Sequence, residues 1–275
     1  MQAASIETLQ QAALDIRRQT IRCIGSLGVG HIGGSLSIVE ALSVLYFDRM
    51  RVDPAQPLWP KRDYFVLSKG HAGPALYATL ALKGYFPLDT LDTLNRPGTI
   101  LPSHCDRLRT PGVDMTAGSL GQGVGGAVGL ALGFRATGRA NEVFCILGDG
   151  ECAEGSVWEA VMAAVHYQLD NLTLLIDRNG LQSDGPTREV LNLEPLEKRF
   201  AAFGCEVITC NGHDVAQLQA VLRLPRSPAK PRVVVMDTVK GKGFPGLEGE
   251  VACHNTDITP DMMRQALESL GEVTA

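Results

Sequence analysis

Two short turns hold the residues best suited to chemistry. The first, G-D-G-E from Gly148 to Glu151, follows the apolar run Val143–Leu147; the second, D-R-N-G from Asp177 to Gly180, closes the apolar run Leu172–Ile176. Glycine on both sides of Asp149 frees the backbone to bring N–H groups toward an anion while the carboxylate holds a cation. Asn179, flanked by Gly180, adds a neutral oxygen. Mg2+ commonly takes one or two protein oxygens and fills its other positions with phosphate oxygens. Either turn alone is an ordinary tight turn, but the pair at matching strand ends predicts a cation bridging a bound phosphate.

Histidine adds to this. Of six, His31 (GVGHIGGS), His71 (SKGHAGP) and His104 (LPSHCDR) lie in Gly/Pro/Ser loops, and His254 (ACHN) lies in another irregular stretch. Imidazole hydrogen-bonds phosphates and sugar hydroxyls and carries protons near neutral pH. The spacing has no H-E-x-x-H and no close Cys/His cluster, which argues against zinc. His166, in AAVHYQL, reads as a packing residue, and His213 as a turn residue before Asp214, a helix N-cap candidate. Two G-x-G-x-x-G matches, Gly28-Gly30-Gly33 and Gly121-Gly123-Gly126, lack the preceding strand that a dinucleotide fold requires. K-G-K-G at 240–243 lacks the upstream glycine and the hydroxyl of a P-loop.

The elements that must position these residues can be read from periodicity. Helical spacing marks 6–24, 36–50, 75–82, 122–136 and 157–169, and short β-rich runs mark 64–67, 143–147, 172–176, 206–209 and 233–236. Strands alternating with helices, each strand apolar throughout, predict an α/β fold with a mostly parallel sheet and helices on both faces. Ligands in such sheets sit beyond the carboxyl ends of the strands, which puts both turns on the functional edge. The loop from Lys83 to Ala117 is long enough to expect a function for it. Met115 to Phe134 carries no charge and spaces Gly121, Gly125, Gly129 and Gly133 four apart. Its Ser, Thr and Gln content is too polar for a membrane span, so it predicts close helix packing inside the protein, a subunit interface being one place for it.

Composition sets the outer bounds. The 275 residues are 45% apolar, with a formal net charge of −5 and no block of Lys and Arg, which excludes nucleic acid as a partner. Seven cysteines without a C-x-x-C pair suit a reducing cytoplasm and predict no disulfides. The first twenty residues read as a helix rather than a signal peptide, so the expected location is cytoplasmic.

The set of motifs resembles a known family. GDGE followed at a distance by N-G resembles the thiamine diphosphate motif, and GHIGGSLS, FVLSKGHAGPALY and TAGSLGQGVGGAVGLALG resemble transketolase segments in the same order, from about Arg17 to His254. The resemblance implies a thiamine diphosphate-binding fold occupying 1–275 as a single domain. It implies that Asp149, Asn179 and the backbone carbonyl of Leu181 bind Mg2+, and that His71, Gly118, Leu120, Gly150, Glu151, Asn179 and His254 contact the cofactor. His31, His104 and His254 would face the ketose and move protons, and Glu154 would lie at a subunit contact.

A full-length transketolase also carries a pyrimidine-binding domain and a C-terminal domain, and the former holds the glutamate that activates the cofactor ring. These are expected on a separate chain, completing an α2β2 assembly. The expected function is therefore that of the N-terminal subunit of a split transketolase, moving a two-carbon ketol unit from a ketose phosphate to an aldose by means of thiamine diphosphate and Mg2+. The alternatives are a deoxyxylulose-phosphate-synthase-like enzyme, a transketolase for a branched or sulfonated sugar phosphate, and last a non-catalytic thiamine diphosphate-binding module.

Overall fold

The computed structural model describes residues 3–272. Its central sheet has five strands: β1 (Tyr64–Leu67), β2 (Val143–Gly148), β3 (Leu172–Arg178), β4 (Glu206–Asn211) and β5 (Arg232–Asp237). Their spatial order is β1-β2-β3-β5-β4, and every neighbouring pair is parallel. All five runs read from the sequence fall inside these strands. The reason lies in β2: Phe144 and Ile146 enter the core on one face, whereas Val143, Cys145 and Leu147 enter the core on the other. A strand buried on both sides has no position left for a polar residue.

Helices α1 (Ile6–Leu27), α2 (Gly73–Lys83), α6 (Val215–Arg223) and α7 (Pro260–Ser269) cover the first face. Helices α3 (Gln122–Ala136), α4 (Gly155–His166) and α5 (Leu196–Phe203) cover the second. At the start of α1 the Ser5 hydroxyl accepts from the Thr8 N–H, and Gly28 closes the helix in a left-handed conformation. Periodicity does not reveal α5, α6 or α7, which are 8, 9 and 10 residues long. Asp214 does cap α6, accepting from the N–H groups of Ala216 and Gln217.

Two expectations need correction. The helix read over 36–50 is broken into Ile32–Leu36, Val39–Val44 and a π turn at Leu45–Arg49. At the break the Ser37 hydroxyl turns to the Gly34 carbonyl (3.2 Å) and the Asp177 carboxylate (2.7 Å), competing with helix continuation. Of the four regularly spaced glycines only Gly121, just before α3, mediates close packing within the chain, since a Cβ there would lie 2.4 Å from Ser156 Oγ. A Cβ built on Gly125, Gly129 or Gly133 would meet nothing within 4 Å, because α3 packs through Val124, Ala127, Val128, Ala131 and Phe134. All seven cysteines are buried free thiols. Among the described residues no helix is long and apolar enough to cross a membrane.

The loop from Lys83 to Ala117 has a structural duty as well. Strand β1 is an edge strand, and Asp114 from this loop accepts the Phe65 N–H at 2.8 Å, closing an open edge donor.

Candidate active site

Sheet register builds the site. Gly148 at the end of β2 lies opposite Asp177 in β3, so Asp149 and Asp177 stand side by side at the carboxyl edge. Two neighbouring carboxylates buried away from water repel one another unless cations intervene. Lys69, from the turn after β1, supplies one: its ammonium reaches Asp177 at 2.6 Å and the Gly34 carbonyl at 2.6 Å. Burial alone would raise the Asp177 carboxyl, but Lys69, Thr238 and Ser37 overcome it and hold the group below the usual carboxylate range.

Asp149 is in the opposite condition. Among the described residues its oxygens accept only main-chain donors, Gly150 N–H at 2.8 Å and Gly180 N–H at 2.7 Å, and it is 5% exposed. Burial, followed by the charge of Asp177, pushes its carboxyl up to about 6. A bound cation would offset that cost. Asn179 donates its amide N–H to Asp177 at 2.8 Å, which turns its carbonyl oxygen toward Leu181 N, and the Leu181 carbonyl faces the Lys240 ammonium at 3.2 Å. The oxygens that Asp149, Asn179 and Leu181 bring to the cavity are thus one carboxylate, one amide oxygen and one main-chain carbonyl, all hard. Among the described residues no three His, Cys, Asp or Glu side chains converge as a metal site. Such a sparse all-oxygen set fits Mg2+, which keeps water or phosphate in most of its positions, and does not fit zinc.

A cavity of about 280 Å3 opens beside these groups, walled among others by His71, Leu120, Gly150, Lys240 and His254. Its glycines matter for space: a Cβ on Gly150 would come within 3.1 Å of Gln182, and one on Gly34 within 3.0 Å of His71 Nε2. Glu154 and Glu151 also line it. Glu154 is exposed at the start of α4. The Glu151 carboxylate stitches three segments together, accepting from Ser68 Oγ (2.5 Å), Gly121 N–H (2.8 Å) and Gly148 N–H (3.0 Å).

The four loop histidines form one cluster. Ring centroids lie 5.3 Å apart for His31 and His71, 5.8 Å for His31 and His104, 5.5 Å for His31 and His254, and 5.1 Å for His71 and His254. His71 and His254 reach the cavity wall; His31 neighbours both rings, and Gly118 lies beside His104. The two loops meet closely, since a Cβ on Gly70 would lie 2.5 Å from the Ala117 carbonyl oxygen. Burial and then the neighbouring cations and imidazoles depress His31, His71 and His254, so these rings are neutral and able to accept protons.

His254 gives a testable sign. Burial, followed by Lys240, lowers it to about 4. A lowered histidine contributes stability that is present above its unfolded value of about 6.5 and is lost as pH falls toward 4. Between pH 7 and 5 the wild-type chain should therefore lose about 1 kcal/mol more than His254→Gln, allowing for solvent screening. Urea midpoints at the two pH values measure this, and equal losses would show that His254 titrates normally.

Sequence reasoning did not single out Lys69, Asp177 as a side-chain partner, or Lys240. Lys69 and Lys240 lie inside the SKGH and KGKG motifs, but a lone lysine carries no periodic signal. Lys240 also hydrogen-bonds His254 Nδ1 at 3.1 Å. His213 is more than a turn residue: its Nδ1–H donates to Glu40 at 3.0 Å and its Nε2 accepts the Val239 N–H at 2.8 Å, fixing the backbone that carries Lys240.

Comparison with known proteins gives a consistent result. The family described as transketolase, thiamine diphosphate binding domain, matches residues 8–273. A 6-deoxy-6-sulfo-D-fructose transketolase subunit from Clostridium sp. is 52% identical over 95% of this chain and 96% of its own length. A subunit of an apulose-4-phosphate transketolase from Phocaeicola vulgatus is 38% identical over 97% of this chain and 95% of its own. The crystal structure of a transketolase from Campylobacter jejuni superimposes with a TM-score of 0.91 at 30% identity, covering 98% of this chain but 43% of that one.

Proposed function

Because the chain belongs to the transketolase family, as its thiamine diphosphate-binding part, we propose that it is the N-terminal subunit of a two-subunit transketolase. One observation carries this reading: a relative matched over 96% of its own length is itself named a subunit, while a transketolase of the same fold is more than twice as long. The pyrimidine-binding and C-terminal domains then reside on a partner chain, in an α2β2 complex, and residues 1–275 act as one domain. The uncovered face of α3, with Gly125, Gly129 and Gly133, and the exposed Glu154 support such a contact.

Within this reading Asp149, Asn179 and the Leu181 carbonyl hold Mg2+, and main-chain N–H groups around Gly150 meet the cofactor diphosphate. When bound, thiamine diphosphate supplies the electron sink that cleavage beside a ketose carbonyl requires. The protein supplies position and proton traffic. Gly118 and Leu120 would line the cofactor and His71 would hydrogen-bond it, while His31, His104 and His254 would accept and return protons at the ketose hydroxyls. Lys69 keeps Asp177 ionised and leaves Asp149 free for the metal.

The donor is a ketose with an anionic tail. Identity of 52% to the sulfofructose relative, against 38% to the apulose phosphate one, favours a sulfonate tail over a phosphate. The reconstituted pair should show kcat/KM at least about tenfold higher for 6-deoxy-6-sulfofructose than for fructose 6-phosphate, a discrimination within the reach of a few polar contacts. Equal or inverted values in a coupled aldehyde-release assay would remove the sulfonate assignment and leave the ketol-transfer assignment standing.

A further inference from the structure

Away from the cofactor cavity, a groove of about 320 Å3 runs between the segment before β1 and the loop after His104. It brings together Leu58 and Leu108, which are 86% and 84% exposed, well above any other large apolar side chain among the described residues. They stand fifty positions apart in the chain and line the same groove. Exposed leucines scattered singly need no explanation, but two in one groove do.

Three arginines and one acid, Asp114, line the groove with them. Arg62 lines the groove from beneath, 8% exposed and paired with Asp114 at 2.6 Å, and its Nε has no hydrogen-bond acceptor among the described residues. Arg107 is exposed and its guanidinium has no partner among the described residues, and Arg109 holds Asp106 at 3.5 Å. These cations gather on a chain whose net charge is −5. The presentation is built rather than slack. Asp106 accepts the Leu108 N–H at 2.9 Å, the neighbouring Thr110 is 2% exposed, and its hydroxyl donates to the Ile100 carbonyl at 2.5 Å.

Resting on the two-subunit reading above, we infer that this groove docks a segment of the partner chain in which an acidic side chain stands beside an apolar one. The carboxylate meets Arg107, and the apolar side chain covers Leu58 and Leu108. A second copy of this chain is a poorer occupant, since a two-fold contact would set Arg107 and Arg109 against their own copies. Nucleic acid needs more cations than these and a stacking surface that the groove lacks. Docking here also reaches the catalytic loop. His104 lies four residues from Leu108, and the Cys105 carbonyl accepts the Ala117 N–H at 3.1 Å, which ties the groove to the segment carrying Gly118 and Leu120.

The test uses the full chain and its co-expressed partner. Leu58→Asp/Leu108→Asp and, separately, Arg107→Glu/Arg109→Glu should each weaken the complex at least about 30-fold by biolayer interferometry. The exposed positions should leave the melting temperature of the isolated chain within about 2 °C of wild type. The arginine pair should also flatten the salt dependence of association. If both variants bind the partner within threefold of wild type, the groove is not the docking site while the two-subunit reading survives. If the wild-type chain itself fails to bind the partner, both fall together.

Discussion

Asp149→Asn should abolish Mg2+-dependent retention of thiamine diphosphate and at the same time make the cofactor-free chain melt higher. The two effects share one cause. In the folded chain the Asp149 carboxyl is pushed up to about 6 by burial and by Asp177, with main-chain N–H groups as its donors. A raised acid contributes stability that is complete below its unfolded value near 4 and is lost as pH rises through 6. At pH 7.5 the ionised group therefore costs about 3 kcal/mol, which the neutral amide avoids. The amide presents one oxygen instead of two, so one N–H loses its acceptor at a cost of about 1–2 kcal/mol. The expected balance is a gain of about 1 kcal/mol, or a melting temperature higher by about 2–4 °C. Against that, if Asp149 is the proposed metal ligand its loss should weaken cofactor binding by more than about 100-fold, since even outer partners of a metal are worth 10–100-fold. Calorimetric titration and thermal melting read the two effects independently. Undiminished binding would take Asp149 out of the metal site, and a lower melting temperature would show that its charge is compensated in the free chain.

Lys69→Met has the largest expected effect on folding. Lys69 is 2% exposed and its partner Asp177 is fully buried, 2.6 Å away. Removing one member of such a pair leaves an unpaired buried charge, at a cost of about 3–5 kcal/mol. Here the cost falls at the high end, because Asp149 stands beside the orphaned carboxylate. A fall in melting temperature of about 10 °C follows. Adding Asp177→Asn should recover most of it, because the orphaned charge is gone, yet cofactor binding should stay weak because Ser37, Thr238 and Asn179 are left to compete for a single acceptor oxygen. If the two substitutions destabilise additively, the pair does not act as a unit.

The sheet was legible in the sequence because its strands are buried on both faces, and unbroken apolar runs report that condition directly. Asp149 and Asn179 were legible for a local reason: each sits beside glycine at a strand end. Four histidines could be picked out by their loop setting, although their convergence within 6 Å depends on loops from opposite ends of the chain. What stayed hidden was set by long-range contacts. Lys69 and Asp177 are 108 residues apart, so neither residue type nor spacing marks them as a pair. Ser37 breaks a helix that periodicity favours because its hydroxyl serves Asp177. The glycines of α3 have the spacing of a packing face, but spacing does not say whether the partner is the same chain or another.

The division of labour between two chains is the centre of the account, and ketol transfer measured with each chain alone and with both together tests it most directly. With Mg2+ and thiamine diphosphate present, this chain alone and its partner alone should both remain at background. An equimolar mixture should turn over at least about a thousandfold faster, since the proposed metal site and the partner's ring-activating acid would meet only there. Turnover by this chain alone at a rate comparable to the mixture would contradict it.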